Sequence, residues 1–108
     1  MDLHIRRAGE HAILDIIGNA HLYTINSLNK ALLGLIEERE SSIVVDARNI
    51  EFFDSSFLAS LLMAKKKVEA YNGRIALMNI NEPLQRLLEI ANMDKRFRIY
   101  ESEEHLVQ

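Results

Sequence analysis

Asp54-Ser55-Ser56 sets one carboxylate and two hydroxyls side by side, between Phe52-Phe53 and Phe57-Leu58. Serine is a preferred helix N-cap, and the residues that follow are apolar at helical spacing, so the triplet falls where a loop enters a helix. Unpaired backbone N–H groups and the helix dipole make that position receptive to an anion. A phosphate on a serine there would add a charge of about −1.5 to −2 next to Asp54. The helix end would favour it and the carboxylate would oppose it, so it would alter a surface more than a fold, as a binding switch does. The plainer alternative is that Asp-Ser-Ser only caps the helix, as such residues do in many proteins. Phe57, two residues past a cap, could point outward beside the switch, where an aromatic suits a partner interface.

Other chemistry finds little support. A serine nucleophile needs a base and an oxyanion hole, yet there is no Gly-x-Ser-x-Gly elbow and no histidine suitably placed. His4, His11, His21 and His105 are scattered, with no pair at the spacing of a helical metal site, and read as surface or edge residues. Asp46 ends a strand as a phospho-accepting aspartate would, but lacks the acidic pair that holds Mg²⁺ and reads as structural. No glycine-rich phosphate loop occurs, so no nucleotide or other cofactor is expected and the chain is not expected to be an enzyme.

Composition narrows the class. The 108 residues, 48% of them hydrophobic, suit one domain over residues 1–108 with a single core. Cysteine is absent, which removes disulfides and thiolate metal sites. With a net charge of −3, no tryptophan and Lys65-Lys66-Lys67 the only run of three basic residues, there is no basic stripe for nucleic acid. No apolar run of about 18 residues and no signal-peptide pattern occur, so membrane insertion is not expected and the location reads as cytoplasmic.

The triplet must be positioned by the elements around it. Leu3–Arg7 and His11–Ile17 alternate or run apolar about Ala8-Gly9-Glu10, a hairpin that ends at Gly18. Ile25, Leu28, Leu32, Leu35 and Ile36 share one helix face behind Thr24 as N-cap. Ile43-Val44-Val45 reads as a central strand covered on both faces, ending at Asp46, with a loop from Ala47 to Asp54. Phe57, Leu58, Leu61, Leu62, Val68 and Tyr71 follow helical spacing until Asn72-Gly73, with Ser55 or Ser56 as cap. Ile75–Met78 is another buried strand, and Asn81-Glu82-Pro83 opens a helix burying Leu84, Leu87, Leu88 and Ala91. Phe97–Tyr100 forms a last strand, and Ser102-Glu103-Glu104 a short terminal helix with Leu106 and Val107. The sum is an α/β fold: a mostly parallel sheet of four or five strands with an N-terminal hairpin and about four helices.

On these residues the chain resembles the STAS family, the anti-sigma factor antagonists. Asp54-Ser55-Ser56 with Leu58 resembles the family's Asp-Ser-Ser-Gly-Leu-Gly signature, and Asn72-Gly73 its turn after the second helix. Leu87–Asp94 and Phe97–Tyr100 resemble its C-terminal third. The resemblance implies a partner-switching module that binds a serine kinase anti-sigma factor when unmodified and loses it when phosphorylated, with a phosphatase to reset it. It implies Ser55 as the phosphorylated residue, Asp54 shaping the recognition loop and Ser56 flanking the helix. ATP and Mg²⁺ would belong to the kinase.

The chain departs from the pattern in two places. Phe57 and Ala59 replace the signature glycines, placing bulk where a kinase would approach. Gly18-Asn19-Ala20-His21 replaces an acidic Gly-Asp-x-Asp-like segment, so partner contacts there would fall to Asn19 and His21. The alternative these departures suggest is a STAS adaptor subunit of a cytoplasmic regulatory or transport complex, never phosphorylated.

Overall fold

The computed structural model describes residues 1–106. In chain order the elements are β1 (Asp2–Ala8), β2 (His11–Ala20), α1 (Ile25–Glu37), β3 (Ser42–Phe53), α2 (Ser55–Glu69), β4 (Arg74–Met78), α3 (Glu82–Ile90), β5 (Arg98–Tyr100) and a 3-10 turn (Glu103–Leu106). The α/β class holds: the described residues form five strands, three α-helices and, where a fourth helix was expected, a 3-10 turn. Val107, assigned to that helix from sequence, lies outside the described residues.

The strands lie in the order β1-β2-β3-β4-β5. β1 and β2 form the antiparallel hairpin, and the other neighbours are parallel. Each crossover from β2 onward steps the same way, so crossovers of one hand place their helices on one face. The packing follows suit. Leu14, Ile16, Ile43, Val45, Ile75 and Leu77 meet Leu28, Leu32, Leu61, Val68, Leu84 and Leu88 from the helices in the main core. The alternate residues Ile13, Val44, Ala76 and Met78 face the other way, under Leu106 of the 3-10 turn. Two covered faces explain why these strands read as unbroken apolar runs.

The helix-free face also holds a charged cluster. Arg6 Nε donates to Asp15 Oδ2 (2.9 Å), its Nη2 to Asp46 Oδ2 (3.2 Å), and its Nη1 to Glu103. Asp46 Oδ1 accepts from the Arg48 amide (3.0 Å) and Asn79 Nδ2 (3.1 Å), a structural use of this carboxylate. His11, expected at the surface, is buried there between Ser42 Oγ (2.7 Å) and the Leu106 carbonyl (3.2 Å).

β3 corrects the expected loop from Ala47 to Asp54, because the backbone stays in the sheet to Phe53. β2 runs on to Ala20 and supplies partners as far as Ala20 opposite Phe53. Register shifts at Asp15/Ile17 and Gly18/Asn19, the second beside Gly18 at φ +100°, break the two-residue period by which such a strand is recognised.

At the end of α2 it is Asn72 that takes the left-handed backbone (φ 67°), and the Gly73 amide closes back to the Val68 carbonyl (2.9 Å). Gly73 is needed for space: a Cβ there would lie 2.7 Å from Val68 Cγ2 and 2.9 Å from Tyr71 Cε1. α3 opens as expected, with Asn81 accepting from the Leu84 amide (2.9 Å) and Pro83 in the first turn. Ala91 falls past the last turn of α3 and is exposed rather than buried.

Candidate functional site at the start of α2

The N-cap of α2 is Asp54, not either serine. Its backbone is extended (φ −130°, ψ −171°), as a cap requires, and the next residue is already helical. Oδ1 accepts from the Ser56 amide (2.9 Å) and from the Ser56 hydroxyl. Oδ2 accepts from the Leu22 amide (3.1 Å), and the Asp54 amide donates to the Ala20 carbonyl (3.3 Å). A hydroxyl has one oxygen, whereas this carboxylate caps the helix with one oxygen and holds the β2–α1 loop with the other.

This arrangement separates two serines that spacing alone left equivalent. The Ser56 hydroxyl is committed to Asp54 and the residue is half-buried. Ser55 occupies the first helical position, is exposed, and among the described residues its hydroxyl makes no hydrogen bond. An unengaged hydroxyl at the positive end of a 15-residue helix can receive a phosphate without giving up a hydrogen bond of its own.

Phe57 does not point outward. It is 0% exposed, belongs to the main core, and its ring centroid lies 6.3 Å from that of Phe53. Phe57, Leu61, Ala64 and Val68 follow one another at four-, three- and four-residue steps, so a residue on this stripe faces the sheet. Phe57 therefore offers a partner no side chain, and its bulk stays out of the approach to Ser55.

The β2–α1 loop forms the neighbouring wall. Asn19 is exposed and opposite Phe52 in the β2–β3 register, and His21 is half-buried. Thr24 holds the N-cap position of α1 but makes no cap bond with its side chain. Its hydroxyl donates to the Asn19 carbonyl (2.6 Å) and accepts from the His21 amide (3.1 Å). The His21 ring accepts from the Tyr23 amide at Nδ1 (3.2 Å) and packs near Tyr23 (5.9 Å) and Phe52 (6.0 Å).

The sequence reading missed the residues that dominate this wall: Tyr23 is 91% exposed, Leu22 65% and Phe52 54%. Large apolar side chains clustered on a free surface mark interaction sites more than scattered ones do. The signal was present, since Leu22 and Tyr23 belong to neither the strand period before them nor the helix period after them. Phe52 and Phe53 are consecutive on a strand, so they take opposite faces and only Phe53 reaches the core.

The hydrogen bond from the Ser56 hydroxyl holds the Asp54 carboxyl below its ordinary value of 3.8, helped by the Leu22 and Ser56 amides and by nearby His21. A carboxylate with a depressed folded pKa stabilises the fold above the ordinary aspartate range and loses that contribution as pH falls through the folded value. The Leu22 and Ser56 amide resonances are therefore expected to titrate together below pH 3.8. Ser56→Ala is expected to move that transition upward; separate midpoints for the two amides would show that they do not share Asp54.

Among the described residues, no group of three or more His, Cys, Asp and Glu side chains is placed to hold a metal ion, and no helix is long and apolar enough to cross a membrane.

Known proteins resemble the chain along most of its length. An anti-sigma F factor antagonist from Paenibacillus polymyxa is 28% identical over 92 residues, covering 84% of this chain and 79% of that protein. The structure of an anti-sigma factor antagonist from Mycobacterium paratuberculosis superposes with a TM-score of 0.88 at 17% identity, covering 98% of this chain and 90% of that one. The Bacillus cell fate determinant SpoIIAA in its phosphorylated form superposes with a TM-score of 0.78 at 16% identity, covering 98% of this chain and 96% of that one. With the sheet, the Asp54 cap and these likenesses in place, the match of residues 3–107 to the family described as "Mlab, STAS domain" shows that the chain belongs to the STAS domain family.

Proposed function

We propose that this chain is an anti-sigma factor antagonist, a cytoplasmic binding module rather than an enzyme, switched by phosphorylation of Ser55. Its partners are a serine kinase anti-sigma factor, which binds the unmodified form, and a phosphatase, which resets the switch. The observation that carries the reading is the division of labour between Asp54, Ser55 and Ser56: two residues are occupied with the helix cap, and one hydroxyl is exposed and unengaged. The antagonist from Paenibacillus polymyxa, matched over most of both chains, supports the partner class.

The chemistry follows from the surroundings. Unmodified, Ser55 is a small neutral group next to Asp54, which holds the loop carrying the exposed Leu22 and Tyr23, a surface a partner can desolvate cheaply. Phosphorylated, it carries a charge near −2 beside the Asp54 carboxylate, and burying that charge without a new cationic partner is unfavourable. The kinase supplies ATP and Mg²⁺, while Asn19 and His21 hold the loop that the partner meets.

The test is affinity capture from the source cells with the Ser55→Ala and Ser55→Asp chains. The proposal expects a serine kinase anti-sigma factor enriched on Ser55→Ala and depleted on Ser55→Asp. A second reading, a constitutive adaptor subunit of a regulatory or transport complex, draws on the same exposed Leu22, Tyr23 and Phe52, which suit a permanent interface. It expects the two variants to capture the same partner equally.

A further inference from the structure

We propose that Asp54 is a positioning residue that couples Ser55 to the β2–α1 loop, so that a phosphate on Ser55 releases the Leu22 amide and loosens the surface carrying Leu22 and Tyr23. This rests on the reading of Ser55 as the modified residue and adds how the modification is transmitted.

The two oxygens of Asp54 perform different tasks. Oδ1 serves the start of α2 through Ser56, and Oδ2 reaches across to the Leu22 amide. The other side-chain hydrogen bonds of the loop stay within it and the end of β2: Thr24 binds the Asn19 carbonyl and the His21 amide, and His21 binds the Tyr23 amide. Among the described residues, the side-chain bond that ties the loop tip to α2 is the one from Leu22 to Asp54.

A phosphate on Ser55 arrives one residue from this carboxylate with more charge and three acceptor oxygens. It contends for the same helix amides and the same positive dipole end, and it repels a like charge a few ångströms away. The carboxylate can relieve that repulsion by turning away from the cap, and all three hydrogen bonds it accepts depend on its present orientation. Leu22 then loses its acceptor. The exposed Leu22 and Tyr23, at 65% and 91%, have little packing to hold them in its absence.

The experiment is amide hydrogen exchange by NMR on the full chain with phosphoserine encoded at position 55, alone and combined with Asp54→Asn. Asparagine is as good an N-cap as aspartate, but it can present only one oxygen, so Asp54→Asn keeps the helix start and removes the acceptor for Leu22. The expected result is that phosphoserine at 55 speeds Leu22 exchange by about tenfold, the scale of a lost hydrogen bond to a charged acceptor. Asp54→Asn alone is expected to reproduce the increase, with phosphoserine adding no more than about twofold on top. Unchanged Leu22 exchange in the phosphorylated chain would overturn the coupling, as would an equal increase with and without Asp54. Encoding the phosphoserine makes the outcome independent of whether any kinase modifies Ser55 in cells, so failure here and failure of the switch reading are separate results.

Discussion

Phe57→Ala is expected to destabilise the fold by about 3–5 kcal/mol, with a fall in Tm of about 15 °C or more in thermal or urea unfolding. The ring is 0% exposed, sits in the main core and packs near Phe53. Removing it takes away its transfer free energy and leaves a cavity beneath the first turn of α2, which a surface residue would not do. For a domain of this size the total stability is about 5–15 kcal/mol, so the variant approaches the edge of folding. Phe57→Leu keeps an apolar side chain in the space and is expected to lose much less. If Phe57→Ala lost under about 1 kcal/mol yet abolished partner binding, the ring would have to face the partner rather than the sheet.

Phosphorylation of Ser55 is expected to weaken binding of the kinase partner by about 100-fold, equivalent to about 2.7 kcal/mol, while Ser55→Ala stays within a few-fold of the unmodified chain. Like-charge juxtaposition and an unpaired buried charge each cost interfaces several kcal/mol. Here the apolar Leu22, Tyr23 and Phe52 set up the second, and the Asp54 carboxylate, on the same chain, adds to the charge that binding must desolvate. Titration calorimetry of the captured kinase against the phosphorylated, unmodified and Ser55→Ala chains gives the three affinities. Equal affinities would point to the adaptor reading, in which the hydroxyl is a bystander.

Where one local rule decided the structure, it could be read from the residues. Ile25, Leu28, Leu32 and Leu35 keep one helical period and are all buried. Asn81-Glu82-Pro83 carries both a cap and a permitted first-turn proline, and α3 starts there. Asp54-Ser55-Ser56 marks the start of a helix, though not which residue caps it nor that a strand leads into it. That choice depends on the Leu22 amide, 32 residues away in sequence, which gives the carboxylate a second bond.

The misplaced elements share this non-local character. β3 runs to Phe53 because β2 continues alongside it through two irregular registers, and no window of sequence contains both strands. His11 is buried because the C-terminal turn returns over it, with the Leu106 carbonyl as acceptor. Phe57 is a local exception: its distance to the cap suggests an outward ring, whereas its helical stripe with Leu61, Ala64 and Val68 sets its direction. The exposed Leu22 and Tyr23 carry no element signal because they lie outside any period, and only the fold shows that Tyr23 and Phe52 flank His21 on the loop that Asp54 holds.

Mass spectrometry of the intact chain and its peptides, purified from its own cells under phosphatase inhibition, tests the central claim most directly. The expected result is a single phosphate, on the exposed Ser55 and not on Ser56, whose hydroxyl is committed to Asp54. A chain that carries no phosphate under growth and stress conditions, or carries it on Ser56, would contradict it.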